Sequence, residues 1–190
     1  MSCMNILELD YGLGPLVDVE ETIQIGIDKL LDRNRTEPWF DGLWVSEYSE
    51  VLYGSLLVSA QAYCLGSLRD INEIRTSLGL NKITKDKAYR SHRIKVQGYS
   101  LIELINSAAN YFKHRDEWTY IWPDNYTTRV LTAFSMDCEF LINHVKTLIE
   151  SEYAYKTLSN LASEWRNDLI EQTKDESKEI HTLSIAKNKL

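Results

Sequence analysis

The side chains best suited to chemistry in this chain are gathered in nine residues near its middle, from Asn110 to Trp118. The segment reads NYFKHRDEW, so little more than two helical turns would carry an amide, an imidazole, two cations, two carboxylates and three aromatic rings. The imidazole of His114 can both accept and donate a proton near neutral pH. If the segment is helical, Asn110 lies beside His114, because residues four apart share a face. We therefore predict a catalytic site centred on His114 and Asn110.

The charged neighbours of this pair suit chemistry on a phosphate group. Cleavage of RNA through its 2′-hydroxyl needs a base or acid that titrates near neutrality and a cation that stabilises the charge building on the phosphate. In such a site Asn110 would orient the imidazole or hold a phosphate oxygen. The residues predicted to assist are the charge-stabilising Lys113 and Arg115 and the supporting acids Glu103, Asp116 and Glu117.

A metal site is a less favoured alternative for this segment. His114 and Glu117 have the spacing of one ligand pair, with Glu103 nearby, but metal sites in helical bundles normally take ligands from several helices. The remaining histidines have no partner at matching spacing: His92, His144 and His181. The sequence also has no glycine-rich phosphate loop, G-x-S-x-G elbow or H-E-x-x-H motif. We expect neither a metal nor another cofactor.

Length and composition favour one globular domain. The chain has 190 residues, of which 44% are hydrophobic and 26% are charged, and a chain of this size needs no disulfide to fold. The patterning predicts a single all-α domain over residues 1–173 and a polar tail, poorly ordered or loosely docked, over 174–190. Three cysteines without close spacing favour a reducing cytoplasm, and we expect neither secretion nor membrane insertion.

The charge balance argues against broad attachment to nucleic acid. The net charge is −7 and the isoelectric point is about 5.2, whereas such attachment depends on many lysine and arginine contacts with phosphates. The segment from Lys82 to Lys95 is a local exception, with six cations and one acid. It is either a phosphate-facing loop or, more simply, a solvated polar connector.

Helical spacing predicts a bundle of four to six helices with one long central helix. The first helix would run over about 17–34, capped by Asp18, and the second over about 46–78, ended by Gly79. Gln61 and Asp70 interrupt the apolar pattern of the second helix. Between these two helices, Trp39, Phe40 and Trp44 are expected to pack over the core.

A capping box predicts where the helix with the candidate residues begins. In Ser100-Leu101-Ile102-Glu103 the serine caps an early amide while the glutamate reaches back to the cap. Along the helix that follows, Glu103, Asn106 or Ser107, Asn110 and His114 recur on one face. Further helices are expected over about 128–150, with a break, and 152–173.

Asn110 and His114 on a helix of an all-α domain resemble the HEPN superfamily, whose name stands for higher eukaryotes and prokaryotes nucleotide-binding. The resemblance implies a homodimer with paired motif helices, metal-independent RNA cleavage at the interface, and a role as a toxin or antiphage effector. The family motif has an arginine that is often followed at once by a polar residue. That arginine would precede Asn110, where this chain has Ala109.

Three classes of function therefore stay open. The first is an RNA-cleaving or nucleotide-binding effector that acts through His114. The second is a catalytically silent helical interaction module, or the neutralising partner of a toxin, in which His114 and Asn110 belong to a structural network. The third is a small-molecule enzyme or binding protein whose pocket is lined by tryptophans: Trp39, Trp44, Trp118 and Trp122.

Overall fold

The computed structural model describes residues 9–118, 122–136, 139–153 and 155–187, with side chains as far as residue 179. Within these ranges the chain forms seven α-helices and one two-stranded antiparallel hairpin. The helices are α1 (Leu13–Thr36), α2 (Gly42–Ser77), α3 (Lys85–Arg90), α4 (Leu101–His114), α5 (Tyr126–Ala133), α6 (Leu141–Thr147) and α7 (Leu158–Lys187). The hairpin pairs β1 (Lys95–Val96) with β2 (Tyr99–Ser100). The predicted all-α class and long central helix are confirmed.

Helix α1 begins earlier than its sequence pattern predicts. It starts at Leu13, whose amide donates to Asp10 Oδ1 at 3.1 Å, and it buries Leu16, Ile23 and other apolar side chains against α2. The prediction that Asp18 caps this helix is wrong. Asp18 lies inside α1. The first amide of the helix instead donates to Asp10, which precedes the helix.

The 36-residue helix α2 is the centre of the fold and packs against α1, α4, α6 and α7. The side chain of Asp41 accepts from the amides of Leu43 and Trp44 at its start, and Gly79, with a φ of +73°, follows its end. By length and composition α2 is the one helix among the described residues that is apolar enough to cross a membrane. Half of its most apolar window is buried within the fold, as in a core helix.

The capping box at the start of α4 is confirmed. The Glu103 amide donates to Ser100 Oγ at 3.1 Å, and the Ser100 amide donates to Glu103 Oε2 at 2.7 Å. Every residue from Leu101 to Ala109 is buried. Because its first turn and its apolar face are both held, α4 is a rigid support for the polar residues at its C-terminal end.

The last helix closes the bundle and continues further than predicted. The buried indole of Trp165 donates from Nε1 to the Ala88 carbonyl at 2.7 Å, which ties α7 to α3. The buried Arg75 guanidinium at the end of α2 donates to Thr173 and also pairs with Glu176. Helix α7 extends to Lys187, so residues 174–187 are helical where the composition predicts a polar tail.

Acidification is expected to destabilise the fold through His92, which is fully buried. Its Nδ1 accepts from the Ile94 amide at 3.3 Å, so Nε2 carries the proton and donates to Tyr155 Oη at 3.2 Å. Burial lowers the pKa of His92, with the acids of α7 offsetting part of the effect. Because the unfolded chain then binds more protons, the contribution of His92 is full above about pH 6.5 and is lost as the pH falls further.

Urea unfolding of wild type and His92→Gln between pH 5 and 8 tests this dependence. We expect the stability advantage of wild type to shrink below about pH 6.5, by at most about 1.4 kcal/mol per pH unit. His144→Gln provides the control, since burial is the cause of the expected effect and His144 is exposed. A stability difference between wild type and His92→Gln that is independent of pH would contradict the expectation.

Candidate functional site

The C-terminal turn of α4 is held in place by a close contact with α2. The Phe112 ring lies over Gly54 so closely that a Cβ built on Gly54 would come within 2.2 Å of Phe112 Cδ2. Only a residue without a Cβ admits the ring at this point. The Phe112 ring therefore fixes how the end of α4, and the polar residues on it, sit against the central helix.

His114 is paired with Glu117. Helix α4 ends at His114, and a 3₁₀ turn over Arg115–Glu117 brings the Glu117 carboxylate to 3.0 Å from His114 Nδ1. A carboxylate at this position favours the tautomer that donates from Nδ1, which leaves Nε2 with a free lone pair. The His114 side chain is 51% exposed, so the imidazole is accessible to solvent and to a ligand. This is the geometry of an oriented imidazole that can accept a proton.

Asn110 has a different partner. Its Oδ1 accepts from Nε2 of the buried Gln61 on α2 at 3.0 Å, and the same nitrogen donates to Asn106 Oδ1 at 2.9 Å. On its other side, Gln61 Oε1 accepts from Lys113 Nζ at 2.8 Å. Gln61 thus joins three residues of α4 through one amide. The sequence pattern marked Gln61 as a break in an apolar helix, but it did not predict this network.

The two predicted charge-stabilising residues lie in different surroundings. The Lys113 ammonium is held by Gln61. Burial lowers the pKa of Lys85 on α3, Asp86 offsets part of that effect, and the charge of Lys113 lowers the pKa further. Lys85 therefore joins the electrostatic surroundings of the site. The Arg115 guanidinium carbon lies 5.0 Å from the centroid of the Phe112 ring, a cation–π contact. Arg115 Nε also lies 3.9 Å from Oδ1 of Asp116, whose side chain is almost fully exposed.

Position 109, where the resemblance would place an arginine, belongs to the core. Ala109 is fully buried on the apolar side of α4, among residues of the same helix that are also buried. An arginine at this position would bury an unpaired charge, which is costly. Any cation that acts with His114 must therefore come from another position, and Lys113 and Arg115 are the nearest in sequence.

Glu103 supports the fold and does not contact His114. Its side chain is 1% exposed and accepts from the Ser100 amide, from Arg90 Nε at 3.1 Å and from the Tyr126 hydroxyl. Burial and the adjacent carboxylate raise the pKa of Tyr126, so its hydroxyl stays protonated and donates to Glu103. Glu103 therefore links α3, the capping box and α5.

The basic segment Lys82–Lys95 contains a helix and is partly neutralised. It includes α3, Arg90 pairs with Glu103, and Arg93 pairs with Glu164 on α7 at 2.7 Å. His92 is buried and cannot contact a phosphate. These contacts favour the interpretation as a structural connector over that of a phosphate-facing loop.

Four of the five tryptophans lie in two ring clusters, while Trp165 packs against Tyr89. Trp118 and Trp122 pack edge to face with each other and around Tyr111. In the other cluster Phe40 is buried, but Trp39 is 62% exposed, so the prediction that this aromatic group is tucked over the core holds only for Phe40. A cleft of about 460 Å³ beside Tyr63 and Arg166 is lined by none of the tryptophans, whereas a second cleft of about 440 Å³ has Trp122 in its wall.

Thiol and metal chemistry have little support among the described residues. Burial raises the pKa of the Cys64 thiol to about 12, so it is protonated at neutral pH, while Cys3 and Cys138 lie outside the described ranges. In those ranges no group of three or more histidine, cysteine, aspartate or glutamate side chains is placed to hold a metal ion.

Comparison of the chain with protein-family models, curated proteins and solved structures finds no match.

Proposed function

We propose that this chain is a HEPN-like effector that binds RNA and cleaves it without a metal, with His114 as the group that moves the proton. The observation that carries the proposal is the His114–Glu117 pair, in which a carboxylate 3.0 Å from Nδ1 orients an imidazole whose side chain is half exposed. An oriented, accessible imidazole is the component that RNA cleavage through the 2′-hydroxyl requires.

The proposed reaction follows from the free lone pair on Nε2. Nε2 of His114 takes the proton of a 2′-hydroxyl, and the oxygen attacks the adjacent phosphorus. A cyclic phosphate forms, the bond from phosphorus to the 5′-oxygen breaks, and the departing oxygen takes up a proton. In a homodimer the protonated His114 of the second copy supplies that proton. Lys113 and Arg115 stabilise the charge on the phosphate oxygens.

RNA cleavage in the presence of a chelator tests this proposal. Purified wild type, His114→Ala and His144→Ala are incubated with total RNA and transfer RNA, and fragments are followed on a gel. We expect cleavage by wild type and a loss of about 10²- to 10⁴-fold in rate for His114→Ala. His144 is the matched control, because it is also exposed and its Nδ1 contacts a backbone carbonyl, that of Phe140 at 3.1 Å.

Two outcomes would contradict the proposal. One is equal cleavage by wild type and His114→Ala, which would place the activity elsewhere or in a contaminant. The other is intact RNA with folded wild-type protein.

Intact RNA would favour the second candidate function, a catalytically silent interaction module or neutralising partner of a toxin. Three observations support that candidate. Ala109 is buried where the HEPN resemblance would place an arginine, and the amide of Asn110 is engaged by Gln61. Helix α2 also exposes apolar side chains of the kind that bind another protein.

A further inference from the structure

Helix α2 exposes a row of mostly apolar side chains. Large side chains in the row are between 40% and 47% exposed, namely Trp44, Tyr48, Val51 and Leu65, and small or partly buried residues lie between them. We refer to the complete row as the α2 stripe: Trp44, Tyr48, Val51, Ser55, Val58, Ala62, Leu65 and Arg69.

The spacing of the α2 stripe is that of a helix-packing seam. Its residues follow one another at alternating steps of four and three, which keeps them on one side of a helix and is the repeat by which two helices interlock. The stripe spans 25 intervals from Trp44 to Arg69, or about 38 Å of helix. The remaining sides of α2 are covered by other helices of the chain.

The neighbours of α2 leave this side open. On one flank, Gly54 contacts Phe112 and Gln61 bonds to Asn110, so α4 lies there. On the other flank, a Cβ built on Gly26 of α1 would lie 3.3 Å from Leu52 Cδ1, so α1 lies there. A helix that is apolar nearly all round is normally covered all round, and the α2 stripe is the side that its own chain does not cover.

We propose that a second copy of this chain covers the α2 stripe, with the two α2 helices packed antiparallel about a two-fold axis. In that arrangement each stripe residue faces the one at the mirrored position in the partner. The facing pairs are Trp44 with Arg69, Tyr48 with Leu65, Val51 with Ala62, and Ser55 with Val58.

No facing pair sets two like charges against each other, and the pairs in the middle of the stripe are smaller than those at its ends. At each end, Arg69, whose guanidinium also pairs with Asp70 at 2.9 Å, meets the exposed Trp44 in a cation–π pair. In the middle, serine, valine and alanine let the backbones approach closely. A parallel arrangement would instead place Arg69 against Arg69. A two-fold axis pairs the same surface of both copies and reverses the direction of one α2 helix relative to the other. A stripe whose residues fit best in the antiparallel orientation therefore suits a two-fold dimer.

The α2 stripe alone is too small for a stable dimer interface, so neighbouring residues must add contact area. With a width of about 10 Å, the stripe alone offers about 400 Å², whereas a stable interface buries about 800 Å² on each partner. The flanks of α1 and α4 border the stripe on both sides, and Trp39 and Leu43, both more than half exposed, extend its aromatic end. They supply the remaining contact area.

Light scattering after size-exclusion chromatography at concentrations up to about 100 μM tests the proposal without RNA, and the proposal does not depend on RNA cleavage. We expect wild type to be a dimer and Val51→Lys to be a monomer, with an increase of at least about 100-fold in the dissociation constant because the change buries an unpaired charge. The control is Ile25→Lys, since Ile25 is 56% exposed on α1, opposite the buried face of that helix. This variant should remain a dimer.

A mixing experiment tests the register. Val51→Lys and Ala62→Glu should each be monomeric alone, but an equimolar mixture should form a dimer, because the introduced lysine of one chain then faces the introduced glutamate of the other. Circular dichroism confirms that each variant is folded, and Leu65→Lys serves as a second disruptive change. The proposal requires a dissociation constant of about 100 μM or lower, so wild-type protein that is still monomeric at that concentration would overturn it. So would a dimer that survives in Val51→Lys and Leu65→Lys, and a mixture that stays monomeric would overturn the antiparallel register.

Discussion

Replacing Glu103 by alanine is expected to lower the free energy of unfolding by about 2–4 kcal/mol, more than any other single change among the acids considered for the site. The carboxylate is buried and accepts from three groups: the Ser100 amide, the Arg90 guanidinium and the Tyr126 hydroxyl. Alanine leaves the amide and the hydroxyl without their acceptor. Arg90 is half exposed, so water replaces part of the hydrogen bond that its guanidinium loses. This replacement limits the expected loss of stability to the upper end of the range.

Chemical denaturation measures this loss, with Glu103→Gln and Glu117→Ala as comparisons. The glutamine keeps an acceptor for the capping amide and should cost about 1–2 kcal/mol. Glu117 is an exposed acid near the end of the same helix, and its loss should change stability by no more than about 0.5 kcal/mol. If Glu103→Ala were as stable as Glu117→Ala, the structural role assigned to Glu103 would be wrong.

The second large effect is expected at Gly54. An alanine there would place its Cβ about where the Phe112 ring packs, and the nearest atoms, Cδ2, Cε2 and Cγ, cannot move without shifting the whole ring. Overpacking of this kind typically costs about 1–3 kcal/mol, which exceeds the gain of about 0.5–1 kcal/mol that alanine brings to a helix. Gly54→Ala should therefore be destabilised despite its better helix propensity.

Gly66 provides the matched control on the same helix, because a Cβ built there meets nothing within 4 Å. Gly66→Ala should raise stability by about 0.5–1 kcal/mol. Removing the ring should relieve the clash, so the double variant Gly54→Ala with Phe112→Ala should be more stable than the sum of the two single effects. Strict additivity would show that the ring and the new methyl group do not meet.

Local signals predicted much of the architecture. The capping box at Ser100 and Glu103 is complete within four residues, so the start of α4 follows from the sequence alone. Gly79 follows the end of α2 with a positive φ, which glycine adopts without strain. The end of this helix can therefore be predicted from a single residue. The sequence does not predict that Asp10 binds the first amide of α1, because Asp10 is positioned by Tyr63 and Arg166, which lie on two other helices.

The surroundings of the candidate site were less predictable because they depend on distant residues. Helical spacing placed Asn110 beside His114, but the partner of Asn110 is Gln61, 49 positions away. The role of Glu103 likewise follows from Arg90 and Tyr126, on two other helices. The pair of His114 with Glu117 spans three residues, and its spacing was visible in the sequence. Contacts inside one turn can be predicted from spacing, whereas contacts between helices require the fold.

The contact between Gly54 and Phe112 has a consequence for the dimer proposed through α2. The midpoint of the α2 stripe falls between Leu56 and Leu57, so Gly54 lies about 4 Å from it along the helix axis. A two-fold axis at that midpoint leaves both copies of α4 on the same side of the paired α2 helices. The two α4 ends, each anchored by Phe112, would then border one composite groove, with a His114 contributed from either wall.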